Sequence, residues 1–345
     1  TGPATPVAYR VTDSFGATAQ AELSVTVTPV TPSAADDAGT TGYRLPVTLA
    51  VLGNDAAGAG SAPLVPSSVV FTDPDAADAG KTLLVAGQGT YTIAADGSIT
   101  FTPAPGFTGV ASAVGYSVAD ANGTTATASV TITVAVPLAP SAADDTNHTP
   151  YLTTVTTAVL GNDTAGGLAT LQPSSVRFTD SAAVNGGTTL VVAGEGTYQV
   201  NGTGTIGFTP VAGFAGVATA VGYRVSDELG QTGVAQLVVT VGAPPTATDD
   251  ATTTAQGVPV TFDPLDNDSA GDDGTGTAGA VLHPSVVLTS ASATDAGRTL
   301  VVAGEGTWTI GEFAGEATFA PLPGFTGTTT AVGYAVTDSF GNTAT

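Results

Sequence analysis

Val85–Gly109 reads VAGQGTYTIAADGSITFTPAPGFTG, and the chain writes the same pattern twice more. The second copy is VVAGEGTYQVNGTGTIGFTPVAGFAG, Val191–Gly216, and the third is VVAGEGTWTIGEFAGEATFAPLPGFTG, Val301–Gly327. Each has a glycine turn, an alternating run through an aromatic residue, a second turn, another alternating run, a proline and Gly-Phe-x-Gly. Alternation of apolar and polar residues marks a half-buried strand, and Asp96-Gly97 between the two runs is a strong hairpin signal. The stretch is a β-hairpin, and three copies make the chain an array.

Working outward, Val114–Val134 (VGYSVADANGTTATASVTITV) reads as two further strands joined by Asp-x-x-Gly. Val7–Val27 (VAYRVTDSFGATAQAELSVTV) matches it, as does Val332–Thr345 (VGYAVTDSFGNTAT), which carries only the start of the second strand. Upstream of each hairpin stand an aspartate pair, an Asn-Asp and a Pro-Ser or Pro-Ser-Ser. The aspartate pairs Asp36-Asp37, Asp144-Asp145 and Asp249-Asp250 lie 108 and 105 residues apart. That period exceeds a solenoid turn of about 20–50 residues and suits a β-sandwich of about 100. The predicted organisation is residues 1–30 as the closing hairpin of a truncated preceding repeat, then repeats over 31–137, 138–243 and 244–345, the last lacking its final strand. Such ends are those expected of a piece cut from a longer array.

In the first repeat the pattern predicts seven or eight strands and no amphipathic helix. Among them are Ala38–Tyr43, Pro46–Leu52, Ser68–Thr72, Thr82–Ala86, the central hairpin and a last hairpin within Ala111–Val136. Val130, Ile132 and Val134 face inward by period-two spacing, with Tyr91, Phe101, Phe107 and Tyr116 as candidate core aromatics.

Composition narrows the function. Twenty-nine acids against six bases give a net charge of −23 in 345 residues, which argues against nucleic acid, whose binding needs clustered Lys and Arg. An apolar fraction of 42% is too high for disorder. No run approaches the roughly 18 apolar residues of a membrane-spanning helix. Cysteine is absent, so no disulfide or thiolate metal site is available. Only one lysine is present, with Thr189 and Arg298 aligned to Lys81, which argues against lysine-asparagine cross-links.

The ordered set Asp-Asp, VLGND, PSSV, GEGTY, F-T-P, GFTG and VGY-x-V-x-D-x-x-G resembles the fibril repeats of CshA-type surface adhesins of Gram-positive bacteria. Cadherin-like and VCBS-type adhesin repeats share part of the skeleton. The resemblance covers nearly the whole chain. It implies an all-β fold of tandem Ig-like or cadherin-like β-sandwich domains in an elongated array. It also implies an extracellular stalk on the cell wall, projecting a ligand-binding tip that is not in this sequence. The third repeat departs from the pattern, with FDPLDND in place of VLGND and Trp308 in place of tyrosine.

Candidate chemistry is confined to oxygen ligands. Asp36, Asp37, Asp55, Asp144, Asp145, Asp163, Asp249, Asp250, Asp266 and Asp268 offer hard oxygens at strand ends, the donor type that calcium takes six to eight of. The competing reading is that Asx residues turn and cap the chain there. Asp266–Gly274 (DNDSAGDDG) is the densest acidic stretch. Asp13, Asp120, Asp227 and Asp338, each three before a glycine, read as type I turns. His148 and His283 occupy unrelated positions, so no catalytic triad can be built and no enzyme is expected. Gly304-Glu305-Gly306 and its copies read as turn glycines, and Trp308 as a core residue rather than a sugar platform.

Three functions remain. The first is a structural spacer whose partners are its neighbouring repeats, on the order of 110 Å long for three domains with ten-residue strands. In the second, each repeat is a glycan- or protein-binding module. The third is homo-assembly by strand complementation between the orphan first hairpin and the incomplete last repeat.

Overall fold

The computed structural model describes residues 2–28, 30–58 and 62–345. Apart from three 3-10 turns, its regular elements are all β-strands. Among the described residues the first repeat contains nine strands in two sheets. They are β1 (Asp37–Thr41), β2 (Val47–Leu49), β3 (Leu64–Phe71), β4 (Thr82–Val85), β5 (Gly89–Ile93), β6 (Ile99–Pro103), β7 (Gly109–Val110), β8 (Val114–Asp120) and β9 (Thr125–Val134). One sheet is antiparallel in the order β2-β6-β5-β4. The other runs β7-β9-β8-β3, and β1 joins it by pairing parallel with β9. The central hairpin is β5–β6, with Tyr91 opposite Phe101.

The inward residues follow the pleat. Val114, Tyr116 and Val118 of β8 and Val130, Ile132 and Val134 of β9 are buried, while the residues between them are only half covered. Across the sandwich they meet Tyr91 and Phe101, whose ring centroids lie 4.5 Å apart. The second repeat, from Asp145–Thr149 to Thr232–Val241, reproduces all nine strands and the same sheet orders. Its core is the aligned set around Tyr198, Phe208 and Tyr223.

Three details differ from the sequence reading. The strand expected over Pro46–Leu52 ends at Leu49, because Val51–Gly53 turns in a 3-10 helix. β3 begins four residues earlier than expected because it contains a bulge opposite Ser117–Ala119. Ser68 fills that bulge: its hydroxyl accepts from Ala119 N at 2.8 Å and donates to Val65 O at 2.6 Å. Ser175 and Ser285 do the same, which is the physical content of the Pro-Ser motif. Finally, the residue aligned with Lys81 in the second repeat is Thr188, since Thr82 and Thr189 open equivalent strands. Lys81 Nζ donates to Ser67 O, whereas in the second repeat Arg177 reaches Ser174 O from within its own strand.

The third repeat has seven strands among the described residues. Its β9 counterpart is only Thr343–Ala344, and no strand forms over the residues aligned with β1 and β7. At the other end, Val7–Thr12 pairs with Thr18–Leu23 in a hairpin exposed on both faces. The chain divides into two compact units. One runs to Leu138 and takes in Gly167–Ala169, and the other holds the remainder through Thr345.

Candidate functional site

The repeated acidic motif assembles around a tyrosine hydroxyl. In the first repeat β1 starts at Asp37, the 3-10 turn delivers Asp55, and β8 carries Tyr116 inward. Tyr116 Oη lies 2.9 Å from Asp37 Oδ2 and 3.3 Å from Asp55 Oδ2. The carbonyls of Val51 and Ala35 lie 3.3 and 3.4 Å away. A phenol has one hydrogen to give, so one donor stands among four acceptor groups. The second repeat repeats this: Tyr223 Oη is 2.9 Å from both Asp145 Oδ2 and Val159 O, and 3.2 Å from Asp163 Oδ2 and Ala143 O. In the third, Tyr334 Oη sits 2.9 Å from both oxygens of Asp268 and 3.0 Å from Pro264 O. Asp250 Oδ2 is buried there without a partner.

The neighbouring residues tie the same knot from the outside. Asp55, Asp163 and Asp268 accept from the backbone N–H of Ala35, Ala143 and Thr248 at 2.8–2.9 Å. Asn54, Asn162 and Asn267 donate to the carbonyls of Asp36, Asp144 and Asp249. The first aspartate of the pair reaches the last strand: Asp36 Oδ1 accepts from Ser129 N and Oγ, both at 2.8 Å, and Asp144 Oδ1 from Gln236 N at 2.9 Å. In the first repeat the motif therefore fastens the first strand, the 3-10 turn and the β8–β9 hairpin to one another.

Electrostatics sharpens the contrast between the two aspartates of a pair. Burial pushes the Asp37, Asp145 and Asp250 carboxyls above the ordinary range. A tyrosine hydrogen bond opposes the rise at Asp37 and Asp145, and the charges of Asp55, Asp163 and Asp268 add to it at the three sites. Asp163 is raised by burial as well. Asp36 goes the other way, held low by the two hydrogen bonds from Ser129. The phenols of Tyr116, Tyr223 and Tyr334 are pushed far up by burial and by the facing carboxylates.

Nine of the ten candidate ligands thus lie in or beside three separate clasps. Asp266 is exposed in the turn before Asn267 and joins none of them. The dense stretch beyond it breaks up into local turns. Asp272 caps Gly274 N and Asp273 caps Thr275 N, each at 2.8 Å. Among the described residues no group of three or more His, Cys, Asp or Glu side chains is arranged to hold a metal. The tyrosine hydroxyl itself occupies the centre toward which the oxygens point.

Sequence reasoning missed the tyrosine as hub and placed it only in the core. The signal was present in the repeats: all three carry tyrosine here, whereas the position of Tyr91 and Tyr198 becomes Trp308. The hydroxyls of Tyr91 and Tyr198 and the indole N–H of Trp308 are buried without partners, so that second position needs a ring and no particular polar atom. Trp308 packs between Phe319 and Phe262, at 4.8 and 6.3 Å between ring centroids.

A family model described as the surface adhesin CshA repetitive domain matches residues 29–134, 137–241 and 242–345. No curated protein matches the chain by sequence. Among solved structures, the human desmocollin-1 ectodomain aligns over 96% of this chain and 60% of its own, at 13% identity and a TM-score of 0.27. Mouse cadherin-23 EC22–24 aligns over 92% and 96%, at 11% identity and 0.29. An endo-fucoidan hydrolase of glycoside hydrolase family 107 aligns over 69% and 34%, at 12% and 0.24. The chain spans about three fifths of the desmocollin-1 ectodomain. The likenesses concern tandem β-sandwich architecture alone.

Proposed function

The chain belongs to the surface adhesin CshA repetitive-domain family, and from that premise we propose that it is a tension-carrying spacer in a fibril on the cell surface. In this reading the repeats perform no catalysis, and ligand capture belongs to a tip outside the chain. One observation carries the proposal: the first and last strands of a complete repeat are parallel neighbours. Asp37–Thr41 pairs with Val130–Val134, and Asp145–Thr149 with Leu237–Val241. A pull along a tandem chain enters at the start of β1 and leaves at the end of β9. It slides one strand along the other and strains the five register pairs together instead of opening them in turn. The clasp sits at the head of that ladder, where Asp36 also holds Ser129.

The test is single-molecule extension of the second repeat. The chain has no cysteine, so handles can be placed at will by single substitutions. Pulling from the two natural ends is expected to need clearly more force than pulling across Gly196–Val200 and Ile206–Pro210, which unzips a hairpin. Equal forces in the two geometries would remove the mechanical reading. The clasp in this reading needs no metal, because the tyrosine hydroxyl draws the oxygens together. The melting temperature is expected to be the same in calcium and in chelator, and a drop in chelator would restore calcium to the aspartates.

A further inference from the structure

At one end of its sandwich the third repeat departs from the other two in four places, and folding gathers them. Asp263 stands where the first two repeats have Ala50 and Ala158, and Asp266 where they have Gly53 and Gly161. His283 takes the place of Pro66 and Pro173: its carbonyl faces Gly315 as theirs face Gly97 and Gly204. The turn of the central hairpin is one residue longer, with four residues between Ile310 and Gly315 against three between Ile93 and Gly97. That longer turn carries Phe313, 80% exposed, where the other tips have Ala95-Asp96 and Gly202-Thr203.

A single exposed apolar side chain is ordinary on a protein surface, but this one stands on a fastened support. Gly315 N donates to Gly311 O at 3.1 Å and closes the turn. Arg298 Nη1 donates to the same carbonyl at 3.1 Å, and its Nη2 to Pro284 O at 3.1 Å. His283 Nδ1 lies 3.1 Å from Ala314 O and 3.7 Å from Asp263 Oδ2. The turn is thus held on both sides of Phe313, so a partner that packs on the ring gives up little backbone freedom. The surroundings are acidic. Glu312 and Glu316 are exposed in the same turn, Asp263 is joined to it through His283, and the guanidinium of Arg298 is spent on carbonyls.

We propose that Phe313 and the carboxylates around it form a recognition site for a lysine- or arginine-bearing segment of a partner protein. The face of an aromatic ring attracts a cation, and the aliphatic stem of the same side chain covers the ring's apolar surface. Glu312 and Glu316 supply the complementary charge that draws the segment in and orients it. A second copy of the chain is a poor occupant, because it offers six bases against 29 acids. The first two repeats have neither an aromatic tip nor an acid at the Asp263 position, so the contact belongs to the third repeat alone. It adds a lateral attachment to a chain otherwise read as a spacer.

The test uses the full chain and a short synthetic peptide of alternating lysine and glycine, with the arginine version beside it and the glutamate version as control. In nitrogen-15-labelled protein the two basic peptides are expected to shift the amide signals of residues 311–316, and the acidic peptide to leave them in place. Phe313→Ala is expected to weaken binding about 2- to 5-fold, and Phe313→Trp to restore or tighten it, which loss of folding cannot mimic. Neither change should move the urea midpoint, because the ring is exposed in the free protein. Replacing Glu312→Gln together with Glu316→Gln is expected to weaken binding further and to flatten its dependence on salt. No binding of either basic peptide overturns the proposal. So do shifts spread evenly over the acidic residues of all three repeats, or binding that ignores Phe313→Ala, since either would mean attraction to the net charge alone. The spacer reading is tested on the second repeat, which lacks this turn, so the two stand or fall separately.

Discussion

At the scale of single residues, the argument turns on one phenolic hydrogen shared among several oxygens. Tyr116→Phe keeps the ring and its place in the buried core of the first repeat, and removes only the donor. Asp37 and Asp55 would then face one another without it. Hydrogen bonds to charged groups contribute about 1.5–3 kcal/mol, and partial solvation of the two carboxylates brings the expected loss to about 1–2 kcal/mol, read by urea unfolding of the first repeat. An unchanged midpoint would mean that the ring, not the hydroxyl, is what the motif holds. The pH dependence has a definite sign. Asp37, Asp145, Asp163 and Asp250 have folded-state pKa values above their unfolded ones, so the folded protein binds more protons between the two values. Their contribution is fully present below the unfolded pKa, near 4, and is lost as pH rises through the raised values. Asp36, Asp96 and Asp273 are lowered and act oppositely, losing their contribution as pH falls through their own values below about 4. Melting temperature should therefore rise from neutral pH toward about pH 4–5 and fall below it, and Asp37→Asn should flatten the upper limb. A monotonic fall from neutral would contradict this. The sequence placed these aspartates at strand ends and the tyrosine at an inward position. It did not show that they meet, because Asp37 and Tyr116 are brought together only by closure of the sandwich.

At the scale of elements, the hairpin Val85–Gly109 was legible because alternation and Asp-Gly are local signals, and its strands formed where expected. The parallel β1–β9 pair was not legible. Nothing in a five-residue segment such as Asp37–Thr41 announces a partner some ninety residues away, and in the third repeat the same kind of segment stays irregular where that partner is missing. The Pro-Ser motif had a visible pattern but a hidden purpose. Ser68 replaces a ladder bond at the bulge, so Ser68→Ala leaves Ala119 N–H without an acceptor inside the sheet. Losing a satisfied buried donor costs about 1–3 kcal/mol. Ser68→Thr, which keeps the hydroxyl, should recover much of that if its methyl is accommodated. Hydrogen exchange at Ala119 is the direct check: protection should drop in the alanine variant, and unchanged protection would show that the bulge is held by packing alone. The glycines of Gly-x-Gly also divide by role. Gly304 turns the chain at φ +80°, whereas a Cβ on Gly306 would stand 2.4 Å from Ala320 O. Only the first is a turn glycine, and the second makes room for the strand beside it. The residue between them is a latch, with Glu305 accepting from Thr330 N at 2.8 Å and Glu195 from Thr219 N at 2.7 Å.

At the scale of the molecule, the proposed spacer role calls for joints as well as domains, and the second compact unit contains one between the second and third repeats. Pro244 and Pro245 stiffen the connection between the second and third repeats, but proline is the smaller part of what is there. The turn Gly271–Gly274 of the third repeat packs on the end of the second repeat's last strand. Asp272 N donates to Ala243 O at 3.1 Å, and a Cβ on Gly242 would fall 2.0 Å from Asp272 O. A Cβ on Gly274 would fall 2.6 Å from Thr240 O, and it sits where φ is +86°. The end of the acidic stretch thus forms a backbone-to-backbone joint, and Gly274 and Gly242 let two main chains touch there. Gly242→Val cannot be accommodated without moving the turn away. The cores of the second and third repeats are separate clusters of side chains, so opening the joint should leave each one's melting nearly unchanged. The expected result is a selective loss of orientation between the two repeats. It would be seen as a broader distance distribution between spin labels on Thr156→Cys and Thr261→Cys, with folding intact by near-ultraviolet dichroism. If the distribution stays as narrow as in the parent, the glycine contacts do not set the joint, and the stiffness of a stalk would have to come from the linker residues alone.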